Sequence, residues 1–162
     1  MNQQEKIDGY ELLNLQLKSL LAEQNYTLSN LSNASALLMD FLPNSVFTGF
    51  YLYNGEKLIL GPFQGGVSCV EIELGKGVCG QAASENRTMI VDDVTKHANY
   101  ISCHSRAMSE IVVPMYKGDK LVGVLDLDSS KVADYDEIDQ KGMEEFTENL
   151  IDLTDFDFFK VG

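Results

Sequence analysis

The sequence predicts an α+β domain whose central, mostly antiparallel sheet of about six strands is flanked by N- and C-terminal helices. Apolar residues recur with helical spacing near both ends of the chain, whereas residues 45–129 contain β-branched and aromatic runs separated by short turns. A chain of 162 residues can bury its own core without disulfide bonds or a structural metal. We therefore expect one domain over residues 1–162, with two helices over about 6–42, the sheet over about 45–129 and a last helix over about 136–153.

Two amphipathic helices are expected before the sheet and one after it. In each of them apolar residues repeat every three or four positions and so share one helix face. They are Leu13, Leu17, Leu20 and Leu21 in the first helix, Leu31, Ala34, Leu38, Phe41 and Leu42 in the second, and Met143, Phe146, Leu150 and Leu153 in the last. The first two helices could form a partner surface, such as a dimer contact, but we favour the interpretation that they cover one face of the sheet.

The strands are expected as hairpins and short segments in the middle of the chain. The expected strands are 46–53, 58–60, 67–74, 89–91, 110–116 and 121–127. Turns at Asn54-Gly55 and Lys117-Gly118-Asp119 join two of the hairpins, and a short helix is expected over about 78–85. Residues 92–106 have no apolar periodicity and are expected to form a long loop, and loops of this length are usually functional or disordered.

The composition excludes several classes of partner. With 12 basic and 25 acidic residues, the formal charge of −13 would repel nucleic acid and anionic membranes. No apolar stretch approaches the length that spans a bilayer, and the segment Met1–Lys6 lacks the basic and apolar regions of a secretory signal. Three widely spaced cysteines do not form a structural disulfide framework. We therefore expect a cytoplasmic protein that binds neither nucleic acid nor membranes.

Cys103 is the leading candidate for a reactive residue. It lies in the polar loop, next to His104 and close to Arg106, and cationic neighbours favour the nucleophilic thiolate form of a cysteine. Cys79 is the rival nucleophile, because the first turn of a helix also stabilises a thiolate. Cys69, on the expected third strand, could be part of the core, or it could meet another cysteine in space and resolve its oxidised form.

Two other uses of the cysteines and histidines are less favoured. A zinc site would be expected to show a Cys-x-x-Cys or His-x-x-x-His spacing, which the sequence lacks, so redox chemistry is the better interpretation and no metal is predicted. Acyl transfer by a Cys–His pair needs a third, orienting residue, and none is evident.

Three acidic residues are expected at one end of the sheet. Asp126 and Asp128 stand two positions apart on an apolar strand and therefore share a face, and Glu110 opens the neighbouring strand of the same hairpin. They could lie at the exposed end of the strand, but their convergence favours a site for a cationic group such as a substrate ammonium. Phe47 and Tyr51 likewise share one face of the first strand and could wall a small apolar pocket.

Five segments, taken in order, resemble one known family. They are Gly49-Phe50-Tyr51-Leu52, Leu60-Gly61-Pro62-Phe63-Gln64-Gly65, Gly75-Lys76-Gly77-Val78-Cys79-Gly80, Ser109-Glu110-Ile111-Val112-Val113-Pro114 and Gly123-Val124-Leu125-Asp126-Leu127-Asp128-Ser129. With the spacing of the three cysteines, they closely resemble the free methionine-(R)-sulfoxide reductases, which are stand-alone GAF-domain enzymes. The resemblance covers nearly the whole chain.

The resemblance implies a role for each candidate residue. Cys103 would attack the sulfoxide sulfur of free methionine-(R)-sulfoxide and become a sulfenic acid, Cys69 would resolve it as a disulfide, and Cys79 would be a secondary cysteine. The acidic and aromatic candidates would handle the sulfoxide oxygen and the substrate: Glu110, Asp126, Asp128, Tyr51 and Phe47. The resemblance further implies no bound cofactor, recycling by thioredoxin with NADPH through thioredoxin reductase, and a homodimer.

The sequence departs from the family pattern at two places. Phe47 stands where the family commonly has tryptophan, and Ser102-Cys103-His104-Ser105-Arg106 lacks the acid that many members carry after the cysteine. The alternative to the reductase is a non-enzymatic GAF module that binds a small ligand or senses redox state.

Overall fold

A six-stranded sheet forms the centre of the protein, seen in a computed structural model that describes residues 1–23 and 25–156. The strands are β1 (Ser45–Tyr53), β2 (Lys57–Gly65), β3 (Glu71–Glu73), β4 (Met89–Val91), β5 (Ser109–Lys117) and β6 (Lys120–Ser129). Their order is β3-β2-β1-β6-β5-β4, and every neighbouring pair is antiparallel. The helices are α1 (Gln3–Leu21), α2 (Thr27–Phe41), α3 (Gly77–Glu85) and α4 (Glu137–Asp152). The predicted α+β class is confirmed. The domain was predicted over 1–162, and its last residues, 157–162, lie outside the part of the chain that the structure describes.

The two faces of the sheet have different coverings. Strand alternation directs Leu125 and Leu127 of β6 to the face that α1, α2 and α4 cover. Their neighbours Val124, Asp126 and Asp128 point to the opposite face, where α3 packs. The N-terminal helices therefore cover one sheet face, as favoured from the sequence, and the second face holds the predicted site residues.

Polar side chains of α1 bind to the first turn of α4. Asp136 caps the helix by accepting hydrogen bonds from the backbone N–H groups of Ile138 and Asp139. The Asp139 carboxylate then accepts a 2.6 Å bond from the Tyr10 hydroxyl and pairs with Lys6 at 2.5 Å. Because Asp139 is buried, this pairing also satisfies a charge that burial alone would disfavour. Within the described residues, no helix has the length and apolar character needed to cross a membrane.

The third strand is much shorter than predicted. Instead of running over 67–74, β3 covers only Glu71–Glu73, and Cys69 lies in the loop that precedes it. The Tyr51 hydroxyl hydrogen-bonds with Ser68 Oγ at 2.6 Å and donates to the Cys69 carbonyl at 2.9 Å. These bonds hold Ser68 and Cys69 over the sheet face, and the chain follows the edge of β2 from Val70, whose carbonyl accepts a 2.9 Å hydrogen bond from the Leu60 N–H. Alternation alone therefore gave the wrong extent.

Close packing of α3 on the turn after β3 gives a test of the fold. A Cβ atom on Gly80 would lie 2.4 Å from the Glu73 carbonyl oxygen and 3.1 Å from the Gly75 nitrogen. Gly80→Ala should therefore lower the free energy of unfolding by about 1–3 kcal/mol, although alanine is normally the better helix former. Urea unfolding of the disulfide-intact protein measures this. Ser84→Ala, at an exposed position of the same helix, is the control with little expected effect, and a Gly80→Ala protein as stable as the wild type would contradict the packing argument.

Candidate active site

A disulfide bond joins Cys69 and Cys103 across two loops. Their Cα atoms are 5.2 Å apart, although the residues are 34 positions apart in sequence. Cys69 lies between β2 and β3, and Cys103 lies in the segment 97–108, called here the Cys103 loop. Both residues are half-buried. Two of the three candidate cysteines therefore meet in space, while Cys79 is a free thiol.

The Cys103 loop is held to the sheet and to α3. At its end, Met108 donates its backbone N–H to the Ser129 carbonyl at 2.7 Å. A 2.7 Å hydrogen bond joins His97 Nε2 to Gln81 Oε1 on α3, and the Asn99 amide donates to the Gly75 carbonyl at 2.9 Å. These contacts position the loop over the same sheet face that carries the acidic residues.

Three carboxyl groups form a buried cluster under this loop. Glu110 of β5 lies directly opposite Asp128 of β6 in the ladder, and Asp126 lies two residues before Asp128 on the same face. Their side chains are only 5%, 5% and 4% exposed for Glu110, Asp126 and Asp128. The alternative that they sit at a solvent-exposed strand end is therefore wrong.

The cluster favours protonated carboxyl groups. Burial raises the pKa of Glu110 well above its usual value, and the charges of Asp126 and Asp128 raise it further. Burial likewise raises the pKa of Asp128 and, less strongly, of Asp126. Glu110 and the two aspartates lie side by side on one sheet face, and carboxyl groups this close favour a shared proton over two negative charges. The three groups therefore share protons in a range where isolated carboxyl groups are ionised.

Cys79 lies beside this cluster and stays a thiol. Its Sγ atom is 4.0 Å from Glu110 Oε2, in the first turn of α3. Burial raises the pKa of Cys79 well above the usual thiol value, and the charges of Asp126 and Glu110 add to that effect. The activation expected from the helix N-terminus is thus outweighed by desolvation. The donor atoms of Cys79, Glu110 and Asp126 lie within 4.8 Å of one another, so these residues could also hold a metal ion.

His104 follows Cys103 and rests on an aromatic wall. Its ring centroid lies 4.9 Å from that of Phe47, which in turn stacks on Phe63 at 5.2 Å. Partial burial lowers the pKa of His104, the charge of Asp126 opposes this shift, and the charge of Arg106 adds to it. A neutral imidazole gives Cys103 less positive charge than the sequence suggested.

The predicted aromatic residues lie behind the site. Phe47 and Tyr51 are fully buried on the predicted face, with their ring centroids 6.3 Å apart. Neither lines the cavity between the Cys103 loop and the carboxyl cluster. Phe47 lies under His104, and Tyr51 holds the backbone at Cys69 through its hydroxyl group.

The cavity itself is small and combines the sulfur and acidic groups. Its lining includes Cys79, Cys103, His104, Glu110, Asp126 and Asp128, together with Ile72, Gly77, Val78, Tyr100 and Ile101. Its volume of about 20 Å³ holds roughly one water molecule. Tyr100 lines the cavity, although no role is predicted for it from the sequence. The feature that could have indicated one is a large aromatic side chain in an otherwise polar loop.

The sequence matches a family model and curated relatives over most of its length. The family model for the GAF domain matches residues 31–150. The free methionine-R-sulfoxide reductase of Escherichia coli is 36% identical over 95% of this chain and 95% of its own length. The enzyme of that name from Saccharomyces cerevisiae is 41% identical over 88% of this chain and 82% of its own.

Solved structures agree as well. The reduced form of fRMsr from Staphylococcus aureus is 44% identical, covers 89% of this chain and 94% of its own, and superposes with a TM-score of 0.86. A free methionine-R-sulfoxide reductase from Neisseria meningitidis, solved in complex with its substrate, is 37% identical with a TM-score of 0.86, over 89% of this chain and 87% of its own. The chain therefore belongs to the GAF domain family and, within it, to the free methionine-(R)-sulfoxide reductases.

Proposed function

We propose that the protein reduces free L-methionine-(R)-sulfoxide to methionine by thiol chemistry. The observation that carries the proposal is that the Cys69–Cys103 disulfide borders the cavity into which three buried carboxyl groups point. A thiol pair supplies the two electrons that sulfoxide reduction needs, and the acidic groups supply a proton and a binding site for an ammonium group. The named relatives and the substrate complex of the Neisseria meningitidis enzyme support the choice of substrate.

Cys103 is the proposed nucleophile. Its thiolate attacks the sulfoxide sulfur, the sulfoxide oxygen takes up a proton, and the oxygen transfers to Cys103 as a sulfenic acid while methionine leaves. Cys69 then attacks the sulfenic sulfur and releases water, which forms the Cys69–Cys103 disulfide. An external dithiol restores both thiols and becomes a disulfide itself, so that the oxidation states balance over one cycle.

Glu110 is the proposed proton donor. A sulfoxide is a weak electrophile until its oxygen is protonated or hydrogen-bonded. The raised pKa of Glu110 keeps a proton on it at a pH where an ordinary carboxyl group has lost its own, and its position in the cavity with Cys103 supports the role. Burial thus makes Glu110 suitable as a proton donor, whereas in a purely structural residue the same burial would only destabilise the folded state.

Cys69 is the proposed resolving thiol and Cys79 a secondary cysteine. The bonded pair supports Cys69, since a resolving thiol must come within bonding distance of Cys103. Cys79 stays protonated because of burial and neighbouring negative charge, which makes it a poor attacking group.

Asp126 and Asp128 are the proposed partners of the substrate ammonium, and Phe47 and Tyr51 the proposed aromatic wall. A cavity of about 20 Å³ is too small for methionine sulfoxide, so the Cys103 loop has to move when the disulfide is reduced. Movement of His104 away from Phe47 would free the aromatic face beside the cavity.

Thioredoxin, itself reduced by NADPH through thioredoxin reductase, is the proposed electron donor, with no bound cofactor. Around the disulfide, Val67, Val70 and Ile101 are 88%, 63% and 39% exposed and form an apolar rim on which a thioredoxin could dock. A reducing cytoplasm is the compartment that maintains such a donor.

A homodimer is the proposed assembly. Leucines of the N-terminal helices that do not face the sheet are exposed: Leu12, Leu15, Leu20 and Leu28. The helical spacing wrongly grouped Leu20 with the buried leucines of the first helix. Such side chains together are more typical of a contact surface than of a solvated helix face.

The cysteine roles predict separate outcomes for two variants. Cys103→Ser should abolish reduction of free methionine-(R)-sulfoxide, because no nucleophile remains. Cys69→Ser should release about one methionine per protein and then stop under thioredoxin recycling, because the sulfenic acid has no resolving partner. NADPH oxidation coupled through thioredoxin, with the free (S)-sulfoxide as the stereochemical control, measures turnover, and amino-acid analysis measures the single methionine released by Cys69→Ser. Full activity of Cys103→Ser would refute the proposed chemistry, and a flat trace of the wild type with both sulfoxides would favour a ligand-binding or redox-sensing module.

If thioredoxin docks on the apolar rim, a substitution there should change the kinetics with thioredoxin and leave those with a small dithiol unchanged. Val67→Gln should raise the KM for thioredoxin about threefold to tenfold, because docking loses apolar contact worth roughly 1 kcal/mol. The rate with dithiothreitol should stay the same, since a small dithiol needs no docking surface. Val132→Gln, at another exposed valine, is the matched control. An unchanged thioredoxin KM in Val67→Gln would remove the rim from the docking surface without touching the assigned chemistry.

A further inference from the structure

Three potential metal ligands converge in the cavity from three different elements. Cys79 comes from α3, Glu110 from β5 and Asp126 from β6. Their ligand atoms lie within 4.8 Å of one another, and all three side chains are buried. The Cys79 Sγ to Glu110 Oε2 distance is 4.0 Å, close to the separation of two ligands around one tetrahedral ion. Small side-chain shifts therefore suffice to bring the three donors onto one centre.

A second observation points to a ligand at this place. Asp126 Oδ1 is buried and has no hydrogen-bond partner among the residues that the structure describes. Asp126 is only 5% exposed, and it lines the cavity. A buried carboxyl oxygen without a partner is costly, and a cation bound at that oxygen would remove the cost. The cavity of about 20 Å³ has room for one particle of the size of a water molecule, and a metal ion fits that space where methionine sulfoxide does not.

We propose that the disulfide-closed protein binds one Zn²⁺ ion in this cavity, through Cys79 Sγ and one oxygen each of Glu110 and Asp126, with the fourth position open. The thiol disfavours Mg²⁺ and Ca²⁺, which select oxygen ligands, and the set of one sulfur and two oxygens suits a borderline-soft ion. On binding, Cys79 and any protonated carboxyl group release their protons, and the ion's two positive charges offset the repulsion within the cluster.

The consequence for turnover rests on the proposed function. A bound ion occupies Glu110 and Asp126, which are the proposed proton donor and a substrate contact, so that zinc would inhibit the reductase until a chelator removes it. Metal binding itself does not depend on that function, and the test below measures binding without turnover.

Co²⁺ replaces Zn²⁺ as a spectroscopic probe in the disulfide-intact protein. The chain has three cysteines, and the Cys69–Cys103 bond leaves Cys79 as the single thiol, which a thiol titration of the unfolded protein verifies. We expect a thiolate-to-cobalt charge-transfer absorption that Zn²⁺ displaces and that Cys79→Ser lacks. Asp126→Asn should weaken Co²⁺ binding at least tenfold. Asp119→Asn, at an exposed aspartate in the turn between β5 and β6, is the matched control and should bind within about threefold of the wild type.

Three results would overturn the proposal. One is the absence of a charge-transfer band in the disulfide-intact wild type. Another is a band that persists in Cys79→Ser, because another group would then be the ligand. The third is Co²⁺ affinity that is the same in Asp126→Asn as in the wild type, with the fold of each variant checked by its circular dichroism spectrum.

Discussion

Three carboxyl groups are buried together on one face of the β5–β6 hairpin, and the other parts of the site are arranged around them. Burial and mutual repulsion disfavour the ionisation of Glu110, Asp126 and Asp128 together, so the cluster retains protons. The folded state thus holds protons that the unfolded chain releases above about pH 4, and the contribution of the cluster to stability falls as the pH rises from there toward the raised folded pKa values. The cluster therefore lowers the stability of the fold as the pH rises, and this cost accompanies the raised pKa values that proton transfer needs.

The two loops that carry the disulfide close over this cluster. The Cys69 segment is held by Tyr51, and the Cys103 loop by its bonds to α3 and to β6. In the bonded state the cavity between them has room for roughly one water molecule, and His104 lies on the aromatic wall. The proposed cycle therefore couples the redox state of the cysteines to access, because a reduced pair is needed both for the attack and for entry of the substrate.

Much of this arrangement is predictable from the sequence, and the reasons for the rest are physical. The period of two places Asp126 and Asp128 on one face, and the hairpin brings Glu110 opposite Asp128. Alternation does not show whether that face is covered, so the burial of the acids and the proton retained by Cys79 could not be foreseen. For the same reason the strand predicted over 67–74 was too long, since a tertiary hydrogen bond from Tyr51 redirects that segment.

The buried cluster should keep a proton after ordinary carboxyl groups have lost theirs. A carbon-13 NMR titration of the side-chain carboxyl carbons tests this, with Asp126→Asn, Asp128→Asn and Glu110→Gln used to assign the signals. We expect at least one of the three groups to ionise well above the pH of about 4 at which ordinary carboxyl groups do. If all three groups ionised near pH 4, the cluster would hold no such proton and the proposed donor role of Glu110 would fail.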